Sequence, residues 1–246
     1  MKPNVVFFRT VPTVLLFLAL LLTLPTAADG VLLEPSENGG TDYRNRLFFF
    51  GESTTAHLRS RGVLAGGTST DRVIAARSGT MMLNRRTPSA RVMEPRSGKE
   101  MTLTEAVAAL RPEILVLSFG LNGIVGFLSA KETYTEPYRA LIRVVRRASP
   151  ETVVLLQTVY PVAKNPTEWK FTQSPAEINR GIERLNAWLP EIAASEGVFL
   201  ADTASVLRDG QGFLREEYST DGIHLTREGY EQVLFYLQTH MAEVPE

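Results

Sequence analysis

The sequence contains no cysteine. This excludes disulfide bonds, zinc–thiolate sites and a cysteine nucleophile. Histidine is also scarce, since only His57, His224 and His240 occur in 246 residues. Three scattered histidines do not supply the clustered ligands that a zinc hydrolase needs. Any chemistry that depends on an imidazole must therefore use one of these three side chains.

The chain also lacks a strong charge of either sign. It carries 26 Lys and Arg against 27 Asp and Glu, which gives a formal net charge of -1 at pH 7. Composition therefore gives no reason to expect nucleic acid or an anionic membrane surface as a partner. Hydrophobic residues make up 44% of the chain and charged residues 22%, as expected for one globular domain with a good core.

The N-terminal apolar run is short for a membrane span. It covers residues 11–24, follows Lys2 and Arg9, and is followed by small residues up to Ala28. This pattern is typical of a secretory signal peptide. An uncleaved anchor is the alternative, although spanning usually needs ~20 apolar residues. We interpret residues 1–28 as a signal peptide, and both interpretations predict a secreted or cell-envelope protein.

Residues 29–45 are rich in glycine and polar residues, so we predict a linker there and a single domain over 46–246. From residue 46 onward, apolar strand-like runs alternate with helical patterns, which predicts a parallel sheet with helices on both faces. We expect strands over 47–50, 73–76, 114–119, 152–158 and 198–201, and helices over 54–61, 103–110, 138–148, 175–194 and 226–240.

The first predicted strand ends in a polar turn that contains Glu52 and Ser53, directly before a helix. The carboxyl ends of strands are where open α/β sheets place their sites. Ser53 has two interpretations, a helix N-cap or a nucleophile. This stretch alone favours the cap, because serine is a preferred residue at helix N-termini.

Asp221 and His224 lie three residues apart, just before the last predicted helix. This spacing allows the carboxylate to hold the imidazole while the other ring nitrogen faces a nucleophile. Alone the pair is a weak signal, since a capping aspartate and a surface histidine have the same spacing. The Gly120-Leu121-Asn122 turn after the third strand is also weak alone, because glycine turns are common.

Taken together, these motifs and their order resemble the SGNH (GDSL-type) hydrolase family over about residues 46–240. The resemblance implies a three-layer α/β/α sandwich around a flavodoxin-like, five-stranded parallel sheet, and a serine esterase that needs no metal and no organic cofactor. It rests on four motifs: Gly51-Glu52-Ser53, Ser78-Gly79, Gly120-Leu121-Asn122 and Asp221-Gly222-Ile223-His224-Leu225-Thr226.

The resemblance also implies a role for each motif residue. Ser53 would be the nucleophile, His224 its base, and Asp221 the residue that orients His224. The oxyanion hole would comprise the Ser53 amide, the Gly79 amide and the Asn122 side chain. Such donors are needed because the tetrahedral intermediate carries a negative oxygen.

The sequence departs from the family pattern at two positions. Glu52 stands where aspartate is usual, and Gly123 follows Asn122 where a second aspartate is usual. We expect neither change to remove activity. Substrate contacts are predicted for Gly120 and for the loop after the fourth strand, where Tyr160, Trp169 and Phe171 could form a platform for substrate or simply pack together.

Two further residues have alternative interpretations. His57 could border the pocket, four residues after Ser53, although we expect a partly exposed helix histidine. Asp202 could rival Asp221 as the acid of the triad, although we expect it to cap the next turn.

We therefore predict an esterase that removes O-acyl groups, short ones such as acetyl, from small-molecule, polysaccharide or cell-envelope esters. Membrane association is expected only if the N-terminal segment is uncleaved. The alternatives are an O-acyltransferase with the same triad and a non-catalytic binding domain. An α/β-hydrolase is disfavoured because Thr55 replaces the second glycine of its Gly-x-Ser-x-Gly motif.

Overall fold

The structure, a computed structural model, describes residues 31–243. The predicted signal segment lies outside these residues. None of the helices within residues 31–243 combines the length and the apolar character that a membrane crossing requires.

The strands are β1 (Leu47–Gly51), β2 (Val73–Ile74), β3 (Arg91–Met93), β4 (Glu100–Thr102), β5 (Ile114–Ser118), β6 (Val153–Gln157) and β7 (Phe199–Ala201). The helices are α1 (Gly40–Arg46), α2 (Ser53–Ser60), α3 (Leu103–Leu110), α4 (Ile124–Phe127), α5 (Glu132–Ala148), α6 (Pro175–Glu196) and α7 (Arg227–Gln238).

Five of the strands form one sheet in the order β2-β1-β5-β6-β7, and every neighbouring pair is parallel. The order of these five strands is that of a flavodoxin-like sheet, in which the chain reverses direction across the sheet at the first strand. The prediction of a five-stranded parallel α/β fold is therefore confirmed. The reversal places the carboxyl ends of β1 and β5 side by side, where a crevice forms.

The near-continuous apolar sequence of β1 follows from burial on both faces of the sheet. Phe48 and Phe50 point into an apolar cluster with α3, α5 and α6, while Leu47 and Phe49 point into a second cluster with α1, α2 and α7. Because successive side chains of a strand alternate between faces, a strand between two helical layers must be apolar at every position.

Helix α5 and the β3–β4 pair differ from the sequence-based expectations. Helix α5 begins at Glu132, six residues earlier than predicted, and contains Pro137. Buried Tyr134 and Tyr138 donate hydrogen bonds to the carbonyls of Phe119 and Leu117, and these tertiary contacts outweigh the helix-breaking tendency of proline. The antiparallel pair β3–β4 was not predicted, because its strands have only three residues each.

Over the part that the structure describes, the segment predicted as a linker over 29–45 contacts the domain at two places. The Leu33 amide donates to the Leu200 carbonyl at 2.8 Å, which attaches the segment to the sheet beside β7. Tyr43 on α1 is 4% exposed and its hydroxyl accepts from the Ala242 amide at 2.8 Å. Although the segment is rich in glycine and polar residues, its buried Leu33 and Tyr43 side chains hold it against the domain.

We predict that Tyr43→Ala lowers the free energy of unfolding by about 3–5 kcal/mol, the range for loss of a large buried aromatic side chain. Urea denaturation followed by circular dichroism would measure it. The exposed neighbour Thr41 serves as the control, since Thr41→Ala should change stability by less than about 0.5 kcal/mol. Equal stability of the two variants would mean that the segment is a linker after all.

Candidate active site

Ser53 lies at the first position of α2, immediately after the turn that ends β1. The turn requires glycine at position 51, because a Cβ there would lie 2.2 Å from Thr55 Oγ1 and 2.3 Å from the Ser118 carbonyl oxygen. The N-cap residue is Glu52, and no side chain caps this helix. Ser53 therefore does not act as the cap, and its hydroxyl is free to point into the crevice.

Asp221, His224 and Ser53 form a continuous hydrogen-bonded chain. The Ser53 Oγ atom lies 3.0 Å from His224 Nε2, and His224 Nδ1 lies 2.6 Å from Asp221 Oδ2. Since an ionised carboxylate can only accept, Nδ1 carries the ring hydrogen and Nε2 is left to accept the hydrogen of the serine hydroxyl. This arrangement is the one by which a serine becomes a nucleophile.

The Asp221 carboxylate is fixed by its own loop. Its second oxygen, Oδ1, accepts from the Ile223 and His224 amides at 2.8 Å each. Partial burial alone would raise the pKa of Asp221, but the hydrogen bonds from the His224 ring and from these two amides together hold its pKa below the ordinary value. The carboxylate therefore stays ionised and keeps the imidazole in one orientation.

Glu52, the departure from the family pattern, connects the nucleophile turn to the loop after β5. Its side chain is 4% exposed, and Oε1 accepts from the Gly120 amide at 2.8 Å while Oε2 accepts from the Asn122 amide at 3.1 Å. Burial raises the pKa of Glu52 to about 8, against the amide hydrogen bonds, which act to lower it. The longer side chain thus holds Asn122 beside Ser53.

The three predicted oxyanion donors are not equally available. The Ser53 amide belongs to the first turn of α2, where backbone N–H groups have no acceptor within the helix. Asn122 Nδ2 donates to Thr80 Oγ1 at 3.1 Å and to the Met81 carbonyl at 2.9 Å. The Gly79 amide donates to the Ala76 carbonyl at 2.9 Å. The assignment of Gly79 as a donor is therefore not supported, because a turn of its own loop uses its amide.

The predicted substrate contacts are also corrected. Gly120 is buried, and its amide is bound to Glu52. Tyr160 is 7% exposed and lies in the apolar cluster beneath α7. Trp169 donates from Nε1 to the Gln173 carbonyl and packs against Phe171, with ring centroids 5.0 Å apart. These three residues do not line the crevice, whereas Phe171, the third aromatic residue predicted for the platform, does.

His57 is closer to the triad than predicted. Its ring centroid lies 4.3 Å from that of His224, with an angle of 34° between the ring planes. Position 57 is one helical turn beyond Ser53, so both residues lie on the same face of α2, and this spacing was the available signal. Burial lowers the pKa of His57, and the adjacent His224 lowers it further. A neutral His57 can pack against His224 without opposing the charge that His224 acquires.

The triad opens into a cleft of about 830 Å³, between α2, the segment 76–80 and the loops that carry Asn122 and Phe171. This cleft extends well beyond Ser53, along α2 towards β2. Asp202 does not line the cleft. Its carboxylate accepts from Thr158 Oγ1 at 3.1 Å.

The comparisons with known proteins agree with this architecture. The sequence model of the GDSL-like lipase/acylhydrolase family matches residues 49–232. No curated protein matches the sequence.

Solved structures share the fold. One is a protein from Slackia heliotrinireducens assigned to the SGNH hydrolases, which is 22% identical with a TM-score of 0.54 over 80% of this chain and 98% of that chain. A second, assigned to the G-D-S-L family of lipolytic proteins from Desulfitobacterium hafniense, is 16% identical with a TM-score of 0.54 over 79% and 98%. A third, assigned as an acylhydrolase from Bacteroides fragilis, is 21% identical with a TM-score of 0.51 over 83% and 88%.

The raised pKa of Glu52 predicts a pH-dependent stability. The unfolded chain releases this proton near the ordinary value of 4.5, whereas the folded protein holds it to about 8. Because the folded state binds more protons within this window, the free energy of unfolding should fall as pH rises from about 4.5 to about 8. Urea denaturation at several pH values within the window would measure the slope.

The matched variants are Glu52→Gln and Glu52→Ala. Glu52→Gln keeps an acceptor for the amides and cannot ionise, so its stability should lack this decline. Glu52→Ala should be less stable at every pH by about 1–3 kcal/mol for each amide left without a partner. A wild type whose pH profile runs parallel to that of Glu52→Gln would contradict the prediction.

Proposed function

Because the chain belongs to the GDSL-like lipase/acylhydrolase family and is an ester-hydrolysing enzyme, we propose that it works through an acyl-enzyme on Ser53. The observation that carries this proposal is the hydrogen-bonded chain from Ser53 through His224 to Asp221, at 3.0 and 2.6 Å. These residues come from the ends of two distant segments, and their side chains meet at the crevice where flavodoxin-like sheets place their ligands.

In the first half of the reaction, Ser53 Oγ attacks the ester carbonyl and transfers its proton to His224 Nε2. The tetrahedral intermediate collapses when the C–O bond to the alcohol breaks, and His224 returns the proton to the departing alcohol. In the second half, His224 takes a proton from water as the water attacks the acyl-enzyme, and then gives it to Ser53. Asp221 stays ionised throughout and stabilises the imidazolium.

The negative oxygen of the intermediate would be stabilised by the Ser53 amide and by the side chain of Asn122. The Ser53 amide lies at the N-terminal end of α2, where the helix dipole favours negative charge. The Asn122 amide is already bonded to Thr80 and Met81, so the substrate must replace one of these acceptors. Glu52 keeps Asn122 in place while this exchange occurs.

For the substrate, we propose short O-acyl groups, such as acetyl, on a carbohydrate or cell-envelope compound. The cleft of about 830 Å³ is much larger than a short acyl group needs, and the hydroxyl side chains of Ser60, Thr68 and Ser78 line it. Hydroxyl-bearing walls suit a sugar. A location outside the cytoplasm is part of the proposal, and the signal-peptide pattern of residues 1–28 supports it.

The mechanism predicts that a fluorophosphonate probe labels the wild type and that 4-nitrophenyl acetate is hydrolysed. Ser53→Ala and His224→Ala should lose both reactions. Asp221→Asn should lower kcat by about 10⁴, since its amide favours the wrong ring tautomer. Ser129→Ala and His240→Ala, which lie outside the cleft, are the matched controls and should resemble the wild type. Turnover that survives in Ser53→Ala would refute the assignment of the nucleophile.

A second prediction concerns the oxyanion donor. Asn122→Ala should lower kcat for 4-nitrophenyl acetate by about 10²–10³ with a smaller effect on KM. Thr80→Val breaks the hydrogen bond between residues 80 and 122 but leaves the amide in place, so its kcat should remain at or above that of the wild type. Equal losses in the two variants would mean that Asn122 acts only by holding the segment 80–81.

A further inference from the structure

The walls of the cleft are cationic. Among the described residues 31–243, those that line it include Arg59, Arg77 and Lys170 and no aspartate or glutamate. This asymmetry is local, because the whole chain is nearly neutral, with a net charge of -1. A cleft with one sign of charge attracts a ligand of the opposite sign.

Of the three cationic residues, Arg59 gives the strongest evidence, because it is partly buried and has no counterion. Its Nη2 donates to the Val73 carbonyl. Within residues 31–243 no carboxylate lies within 4.0 Å of its guanidinium, and its enclosed Nε has no hydrogen-bond partner. Burial lowers the pKa of Arg59. A partly buried cation without a counterion is costly, and an anion bound in the cleft would reduce this cost.

Arg77 and Lys170 are more exposed, and Arg77 forms one ion pair, with Glu100. Arg77 lies 3.7 Å from Glu100, and that carboxylate is shared with Arg91 at the same distance. Lys170 is exposed beside Phe171, and no carboxylate of residues 31–243 lies within 4.0 Å of its ammonium group. The charge of Lys170 is therefore available at the cleft, and the charge of Arg77 is only partly neutralised, because two arginines share one carboxylate.

The distance from the nucleophile fits one substrate molecule. Arg59 follows Ser53 by six residues on the same helix, and a rise of 1.5 Å per residue places the two Cα atoms about 9 Å apart along the axis. His57 lies between them on the cleft wall. A sugar that carries an ester at Ser53 could therefore present an acidic group near Arg59, on the same ring or the next one.

We propose that the substrate is an anionic ester, in which the molecule that carries the acyl group also carries a carboxylate or a phosphate. Arg59 binds this anion through its free guanidinium donors, and Arg77 and Lys170 add positive charge. Arginine suits the role because its planar donors match both carboxylate and phosphate. This inference rests on the proposed function, since it names the substrate class of the same site.

The test compares three acetyl esters that differ only in the group at C6: O-acetylated methyl glucoside, O-acetylated methyl glucuronide and O-acetylated methyl glucoside 6-phosphate. At low ionic strength, the wild type should show a kcat/KM about tenfold or more higher for at least one anionic ester than for the glucoside, because a charged hydrogen bond contributes that much to binding. The glucuronide and the phosphate distinguish the two kinds of anion.

Arg59→Gln and Lys170→Gln should each reduce this preference, chiefly through a higher KM for the anionic esters. Because Lys170 is exposed, its variant remains informative if Arg59→Gln is unstable. Arg180→Gln, on α6 and outside the cleft, is the control and should keep the wild-type preference. Equal kcat/KM for all three esters, or a preference unchanged in both cleft variants, would overturn the proposal.

Failure of the proposed function has a different signature, namely no hydrolysis of any ester and no fluorophosphonate labelling. The substrate class would then be decided by equilibrium binding of the same three compounds to Ser53→Ala. Tighter binding of an anionic compound than of the glucoside would support an anion site, and equal binding would refute it.

Discussion

The geometry of the site depends on the contacts of the Glu52 carboxyl group. It comes from the turn that ends β1, and it accepts hydrogen bonds from amides of the loop that follows β5. These two strands are neighbours at the reversal point of the sheet. The sheet places their ends side by side, but hydrogen bonds between strands stop at Ser118. Beyond that point the side chain of Glu52 links the two segments, and it fixes Asn122 relative to Ser53.

Burial of the Glu52 carboxyl group costs free energy, and the structure shows why. A carboxyl group enclosed by protein loses its hydration, and the amides that replace water compensate only in part, which explains why its pKa rises. Sites that hold reactive groups in place commonly contain such unfavourable elements. Here the stability of the domain comes from the two apolar clusters on either side of the sheet, so the buried acid can serve positioning.

The sequence was sufficient to predict the elements that repeat a physical pattern. Strands β1 and β5 are apolar up to their last residue because both faces are covered, and that pattern identifies them. The Asp221–His224 pair could be recognised because its geometry is local. By contrast, the sequence left two interpretations open for Tyr160 and Trp169, because an aromatic residue in a loop has the same sequence signature whether it packs inward or faces solvent. Tertiary packing decides between these two states.

The cations of the cleft and the partners of Asn122 could not be predicted for a related reason. Arg59, Arg77 and Lys170 come from separate segments, and nothing in their spacing brings them together. Thr80 and Met81 belong to a loop whose course depends on the β3–β4 hairpin and its bridge from Met93 to Ala75. The segment around Tyr43 illustrates the same limit, since a single buried aromatic residue outweighs the polar composition of its neighbours.

The two hydrogen bonds of the triad span very different lengths of chain. Asp221 and His224 are three residues apart, so their contact can form within one loop, whereas Ser53 and His224 are 171 residues apart. The serine–histidine contact closes almost the entire domain and forms only when both ends of the chain have docked on the sheet. Ser53 is therefore reactive only after the whole domain has folded. During refolding, nucleophilicity should return with the last long-range contacts, after helical secondary structure has already recovered.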